Sequence, residues 1–527
     1  MVVTGVSASP SALTSWHDDW RGLRVAVLGL GVTGFSVADT LAELGASVLV
    51  IAGAHDDDRE RILEVLGVPV VVRTPLDVVP DELAAFEPEL VVASPGFAPH
   101  HPLMRWAADR ELPIWGDIEL AWRLRDKTGR VAEWLCVTGT NGKTTTTQLT
   151  AHMLHTAGMR AVPCGNIGTP ILDAIRDPQG YDVLVVELSS YQLHSITSVA
   201  PTSSVVLNLA DDHLDWHGSA EAYRLAKGRV YEHTRIACVY NLADDATRRL
   251  VEDAEVQEGC RAIGFGLGTP GPSDLGVVDG VLIDRAFLEE RRTSALELAT
   301  VEELRAVGLG AGHLVQNTLA AAALARSIGV APEHIHDALA TFAVDRHRNE
   351  LVGERDGVAW VDDSKATNAH AANASLHAYP SVVWVVGGLL KGVDLSPLVA
   401  KHATRLRAAV VIGADRAAVG AAFAQHAPDV PVHLIDVTDT DDVMPRVIAC
   451  AEAIAQPGDT VLLAPAAASM DQFISYSDRG QRFAAAVRSA WEAESHDRDS
   501  APEITRIDDA NRNAGHDPDG PNDAADH

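Results

Sequence analysis

The chain predicts an α/β protein of three units: a Rossmann-like N-terminal unit, a central unit of P-loop type with a mostly parallel sheet, and a Rossmann-like C-terminal unit. Three observations carry that expectation. Short apolar strand patterns alternate with helix-length stretches, glycine-rich turns follow the first strand of two sections, and polar clusters close several strands. A length of 527 residues exceeds what one core fills. The boundaries read as 1–130, 131–344 and 345–493. Over 494–527 a disordered acidic tail is expected, with ten acids against three arginines.

The first unit opens with Arg24-Val-Ala-Val-Leu-Gly29, a short buried-strand pattern. It enters a glycine turn, a helix running to Leu44 and a second strand over 47–51. This order starts a parallel, doubly wound sheet. A further strand over 90–93 runs into the turn Ser94-Pro95-Gly96. Gly29, Gly31 and Gly34 have dinucleotide spacing, yet an NAD site calls for an acid at the end of the next strand. Ala52-Gly53 stand there instead, so the turn is read as a cradle for a diphosphate.

In the second unit a strand over 133–137 feeds Thr138-Gly139-Thr140-Asn141-Gly142-Lys143-Thr144-Thr145 and a helix running to Ala157. Such glycines let amides turn inward around phosphate oxygens, and the helix N-terminus adds partial positive charge. In such a loop Lys143 reaches the terminal phosphates and Thr144 can hold Mg²⁺. Val137 occupies the first glycine position of G-x-x-x-x-G-K-T, which makes the loop a variant of the standard one. Strands over 183–186 and 204–207 follow, each ending in a polar cluster that should converge with the loop. Glu187 closes the first and suits Mg²⁺ directly or through water. Asp212-His213-Leu214-Asp215 follows the second with carboxylates and an imidazole. Taken singly, Glu187 is a surface acid, 212–215 a polar turn and Lys227 a solvated helix lysine. Residues 264–293, rich in Gly, Pro and Asp, read as a decoration without chemistry.

The third unit repeats the βα alternation, with strands over 359–361, 382–386, 409–412 and 460–463. Apolar residues make up 47% and charged residues 22%, and the net charge of −31 argues against a nucleic-acid or anionic-membrane partner. Anionic substrates must then be met by backbone amides, a few Lys or Arg, or Mg²⁺. Five scattered cysteines without C-x-x-C spacing support neither a disulfide framework nor a zinc site. With no signal-peptide pattern and no apolar run of spanning length, a cytoplasmic protein is expected, acting as a monomer.

Taken together, these motifs resemble the Mur ligase family over most of the chain. The matching pieces are the loop 139–145, Glu187-Leu-Ser-Ser-Tyr-Gln192, residues 208–215 and 223–232, His347-Arg348, and Asp363-Ser-Lys-Ala-Thr-Asn368. The last piece is similar to the branch that adds D-glutamate. The resemblance implies an ATP-dependent amide ligase of peptidoglycan precursor synthesis, acting on UDP-N-acetylmuramoyl-L-alanine and D-glutamate through an acyl phosphate. It implies ATP, with two Mg²⁺ held by Thr144, Glu187, His213 and a Lys227 converted to a carbamate. Lys143, Lys227, His213 and Glu187 are thereby the catalytic set. Gly139, Thr140, Asn141, Gly142, Lys143, Thr144, Thr145, Asn317, Arg348 and Asp363 correspond to ATP-binding positions. Gly31, Thr33, Gly34, Ser94, Gly96 and Asn166 correspond to the UDP-substrate site, and Lys365, Thr367, Lys391, Ser469 and Tyr476 to the D-glutamate pocket. Two lysines plus hydroxyls suit a dianionic amino acid, each carboxylate needing a charge or donors.

Two rivals share some of these features. A folylpolyglutamate synthetase-like ligase has the ATP-loop logic, but the 29–34 turn and the 363–368 piece argue against it. A non-ligating nucleotide-binding sensor of cell-wall precursors has no need of Lys227, His213, Lys365 and Lys391 together.

Overall fold

The computed structural model describes residues 9–343, 347, 349–437 and 439–499. Three sheets organise them. β1 (Arg24–Leu28), β2 (Ser47–Ala52), β3 (Val70–Val72), β4 (Leu90–Ala93) and β5 (Ile114–Trp115) pair in the order β3-β2-β1-β4-β5, parallel throughout. Val25 to Leu28 are all buried, as expected of a strand covered on both faces. The order reverses between β1 and β4, the place where open α/β sheets hold ligands. The Gly29 turn and Ser94 meet there: a Cβ on Gly29 would lie 2.7 Å from Ser94 Oγ.

The second sheet contains β6 (Glu133–Thr138), β7 (Ala161–Gly165), β8 (Val183–Glu187), β9 (Ser203–Val206), β10 (Ala237–Asn241), β11 (Arg261–Phe265), β12 (Asp274–Val278), β13 (Val281–Asp284) and β14 (Leu296–Thr300). Their order is β14-β13-β12-β11-β10-β9-β6-β8-β7. β6 stands between β8 and β9, so the glycine loop leaves the sheet beside Glu187 on one side and Asn208 on the other. The stretch over 264–293 is more than decoration. It closes β11 and supplies β12 and β13, an antiparallel hairpin turned by Asp279 and Gly280, both at positive φ.

β15 (Glu350–Arg355), β16 (Val358–Asp362), β17 (Val382–Gly387), β18 (Leu406–Ile412), β19 (Val432–Leu434) and β20 (Thr460–Leu463) form the third sheet, in the order β15-β16-β20-β17-β18-β19. Only β15 runs antiparallel to its neighbour. The last helix, Tyr476–Asp499, continues past residue 494, where a disordered tail is expected to start; residues 500–527 lie outside the described ones.

The first two sheets share one apolar core. It runs from Leu13 and Trp20 through Val25, Ile118 and Trp134 to Leu193 and Cys238. Trp122 and Trp134 meet edge to face across the join at 5.1 Å, and Arg176 pairs with Asp39 and with Glu43 at 2.5 and 2.8 Å. The apolar clusters of the third sheet contain no residue of the other two. Where the third unit touches the middle one around the glycine loop, the contacts are polar. Burial therefore fuses the first pair far more firmly than it fixes the third.

Candidate active site

At the end of β6 the chain turns through Gly139 and Gly142, with φ of +147° and +84°. Both positions exclude a side chain. A Cβ at Gly139 would sit 2.9 Å from Leu207 Cβ, and one at Gly142 only 2.4 Å from Asn317 Oδ1. Asn208 holds the loop from outside: its carbonyl accepts from Thr140 N and its Oδ1 from Asn141 N, each at 2.9 Å. Thr140 Oγ1 shares a 2.9 Å hydrogen bond with the Tyr223 hydroxyl. Lys143 Nζ donates back to Gly139 O and Thr140 O at 2.9 Å. Desolvation lowers the pKa of that ammonium, while Glu187 and Asp212 pull it up again. Thr144 and Thr145 are buried in the first turn of the helix Lys143–Thr156, and Thr145 Oγ1 has no partner.

Glu187 ends β8. Its Oε1 accepts from Asn166 Nδ2 at 2.9 Å, while the buried Oε2 makes no hydrogen bond. His213 stands at φ +54°, its Nδ1 hydrogen-bonded to the Tyr191 hydroxyl. Desolvation pushes this imidazole down to about 4, against the pull of Asp212. It is neutral at pH 7. With the proton on Nδ1 and given to Tyr191, Nε2 keeps a lone pair for a metal. Lys227, on the helix Ala220–Gly228, is 2% exposed. Its Nζ donates to Gly139 O at 2.9 Å and Thr138 Oγ1 at 3.3 Å, so it lies behind the loop. Desolvation, then the nearby Lys143, drives its pKa well below the usual lysine value.

A cavity of 640 Å³ joins the loop to the third sheet. Thr140 to Thr144, Asn166, Glu187 and His213 face it from the middle unit, with Asn317 at the loop's back. From the third unit come Asp363, Lys365 and Thr367 after β16 and Lys391 after β17. Lys391 Nζ is 3.8 Å from Asp212 Oδ1, and Lys365 Nζ stands 3.7 Å over the Tyr476 ring. Asn141 ties the units together, its Oδ1 accepting from Asn368 Nδ2 at 3.0 Å and its Nδ2 meeting His370 Nδ1 at 2.9 Å. Asp363 accepts from the Ser375 hydroxyl and, at 3.3 Å, from Asn349 N.

Ser469 and Tyr476 do not border the cavity, although Tyr476 reaches it through Lys365. Gly31, Thr33, Gly34, Ser94 and Gly96 stand apart from it, around the switch point of the first sheet. A Cβ on Gly34 would lie 2.1 Å from Gly29 O, which closes the helix onto the turn, whereas Gly31 and Gly96 face open space. Arg348 lies outside the described residues.

Several contributors were not legible beforehand. Phe265 borders the cavity because the β10–β11 register sets it beside Asn241. Asn208, Tyr191 and Tyr223 fall within pieces that resemble the family, but their action on the loop and on His213 comes from tertiary contacts without a local pattern. Arg479 is fully buried, donating to Ser364 Oγ and O at 2.9 Å and to Ala467 O at 3.2 Å. It thereby fixes the segment that carries Lys365.

Comparison with known proteins bears on this arrangement. Residues 137–325 match the Mur ligase middle domain, and residues 347–467 match the Mur ligase, glutamate ligase domain. A protein of Leifsonia xyli subsp. xyli named UDP-N-acetylmuramoylalanine--D-glutamate ligase is 62% identical, over 90% of this chain and 94% of its own length. A Streptomyces coelicolor protein of the same name is 54% identical, over 89% of this chain and 99% of its own. Among solved structures, a pseudomurein peptide ligase type C from Methanothermus fervidus superposes with a TM-score of 0.53 at 16% identity, covering 89% of this chain and all of that one (100%). The UDP-N-acetylmuramate-alanine ligase of Thermotoga maritima gives 0.51 at 20% identity, covering 89% and 99%. At such identities the two structures speak to the fold.

Proposed function

The chain belongs to the Mur ligase family, and from that premise we propose that it joins D-glutamate to the alanyl carboxylate of UDP-N-acetylmuramoyl-L-alanine at the expense of ATP. The observation that carries this reading is the single cavity in which Lys143, the Glu187–His213 pair and the lysines Lys365 and Lys391 face one another. A phosphate-binding loop and a site for a dianionic amino acid then share one reaction space.

In the proposed reaction the alanyl carboxylate attacks the γ-phosphorus of ATP, and ADP departs. Lys143 and the loop amides stabilise the charge on the transferring phosphoryl group. The D-glutamate amine attacks the resulting acyl phosphate, and the tetrahedral intermediate collapses with loss of phosphate. Lys365 and Lys391 pair with the carboxylates of the amino acid, which leaves the amine as its free end. The Asn141 contacts to Asn368 and His370 draw the third unit over the loop, keeping water from the acyl phosphate.

The donor set fits a divalent cation. Glu187 Oε2 is buried without a partner, Thr144 lies in the first turn of the loop helix, and His213 is neutral. Thr144, Glu187, His213 and a carbamate on Lys227 would hold Mg²⁺, which supplies charge neutralisation for the phosphoryl oxygens. Carbamylation also suits Lys227 itself, since CO₂ reacts with the neutral amine that desolvation favours. It would put an anion beside the Lys143 ammonium in place of a neutral amine. Carbon NMR with isotope-labelled bicarbonate should show one carbamate signal that Lys227→Ala abolishes; its absence from active enzyme would reject the modification.

No helix among the described residues is long and apolar enough to cross a membrane. We place the reaction in the cytoplasm, performed by a monomer. The decisive measurement is phosphate release with UDP-N-acetylmuramoyl-L-alanine and a panel of amino acids. Release should require D-glutamate; release with L-lysine or diaminopimelate instead would overturn the substrate while leaving the ligase class intact.

A further inference from the structure

Where the first sheet meets the middle one there is a second, far smaller cavity, of 10 Å³, walled by polar atoms that lack partners. Asp117 opens the helix Asp117–Arg123 and is 4% exposed. Its Oδ2 accepts from Gln192 Nε2 at 2.9 Å. The amides of Asp117 and Ile118 lie near its carboxylate, yet Oδ1 makes no hydrogen bond of normal geometry. Burial pushes this carboxyl up to about 6. Ser94 Oγ and Trp216 Nε1, from two other walls, are likewise buried and unpaired. Buried polar atoms without partners are uncommon, and three around one cavity mark a place built for a polar group.

The chemistry of the three atoms narrows that group. A carboxylate oxygen only accepts, an indole N–H only donates, and a serine hydroxyl does either. A carbonyl oxygen could serve Trp216 but not an ionised Asp117, and an amide N–H the reverse. A hydroxyl oxygen serves all three, and the cavity admits about one oxygen of that size. Its position is equally telling. Ser94 also faces the Gly29 turn. On the opposite wall Tyr191 hydrogen-bonds His213 and packs against Trp216 with the rings tilted and their centroids 4.6 Å apart. The cavity therefore lies between the diphosphate cradle of the first sheet and the reaction space, where the sugar linking the two ends of the substrate must pass.

We propose that this cavity is a hydroxyl subsite that takes a free ring hydroxyl of the substrate sugar, with Asp117 and Trp216 as specificity-determining residues. The inference rests on the substrate reading above. The hydroxyl donates to Asp117 Oδ1, accepts from Trp216 Nε1, and pairs with Ser94 Oγ. Asp117 also anchors Gln192, whose Oε1 accepts from Ser189 N at 3.1 Å at the start of the helix Ser190–His194. Filling the subsite therefore steadies the helix that carries Tyr191.

The test uses the full chain, the variants Asp117→Asn and Trp216→Phe, and UDP-substrate analogues with one free ring hydroxyl replaced by hydrogen. Each variant should raise KM for the UDP substrate about ten- to a hundredfold, as loss of a charge-assisted or buried hydrogen bond does. KM for ATP and for D-glutamate should not move. One deoxy analogue should show the same deficit on the unmodified chain and no further deficit on Asp117→Asn, because both changes remove one interaction. Unchanged KM values overturn the proposal. So do analogue deficits that simply add to those of the variants, since a bound water then fills the cavity. Trp216→Phe keeps an aromatic ring while removing the N–H, and it carries the test should Asp117→Asn fail to fold. Absence of any D-glutamate-dependent phosphate release by the unmodified chain would sink the reading of the reaction instead, so the two failures are separable.

Discussion

Replacing Lys143 by alanine should lower D-glutamate-dependent phosphate release by about 10²–10³-fold, the range seen when one preorganised donor to a developing charge is removed. The lysine sits across the loop with its ammonium on Gly139 O and Thr140 O, in a setting already depleted of water. Those carbonyls hold it ready, so charge stabilisation needs little reorganisation at the moment of transfer. Because desolvation disfavours the cation, its removal should leave thermal stability unchanged or slightly raised. Arginine is no substitute, since a planar guanidinium does not fit a place shaped for a point charge. Steady-state phosphate release and thermal unfolding of Lys143→Ala would be compared. Full activity would remove the loop from the reaction; a large loss of stability would show that the effect is one of folding.

How much of this was legible beforehand differs between fold and site. The strand patterns at 24–29, 47–51, 90–93, 133–137 and 183–186 were readable because parallel strands covered on both faces are near-continuous apolar runs. β3, β5 and β19 are too short for periodicity to register, and β12 and β13 are hidden in a Gly- and Pro-rich stretch. The glycine loop was legible because its backbone requirement is written in residue types: both Gly139 and Gly142 hold positive φ against neighbours that leave no room for Cβ. Lys227 was not. Its spacing is that of any helix lysine, and only tertiary burial behind Gly139 gives it a special chemistry. Asp117 is a sharper case. An acid opening a helix is what capping preference alone supplies, and nothing local reveals that one of its oxygens faces a shared cavity.

Lys391→Ala should raise KM for D-glutamate by about ten- to a hundredfold, the effect of deleting a charge-assisted hydrogen bond to a carboxylate. The lysine stands at φ +53° after the glycine pair at the end of β17, a conformation few side chains adopt, and its ammonium is 3.8 Å from Asp212 Oδ1. It therefore has two duties, binding an anion and bridging the third unit to the middle one. Lys365 stands over the Tyr476 ring of its own unit, and its segment is held by Arg479. The two variants should differ accordingly. Lys365→Ala should weaken D-glutamate alone, whereas Lys391→Ala should weaken D-glutamate and raise KM for ATP as well, because closure is less favoured. D-Glutamine identifies which lysine meets the side-chain carboxylate: the variant lacking that lysine should treat D-glutamate and D-glutamine nearly alike. If both variants keep the KM of the unmodified chain for D-glutamate, the amino acid binds elsewhere, and Lys365 and Lys391 serve the phosphates instead.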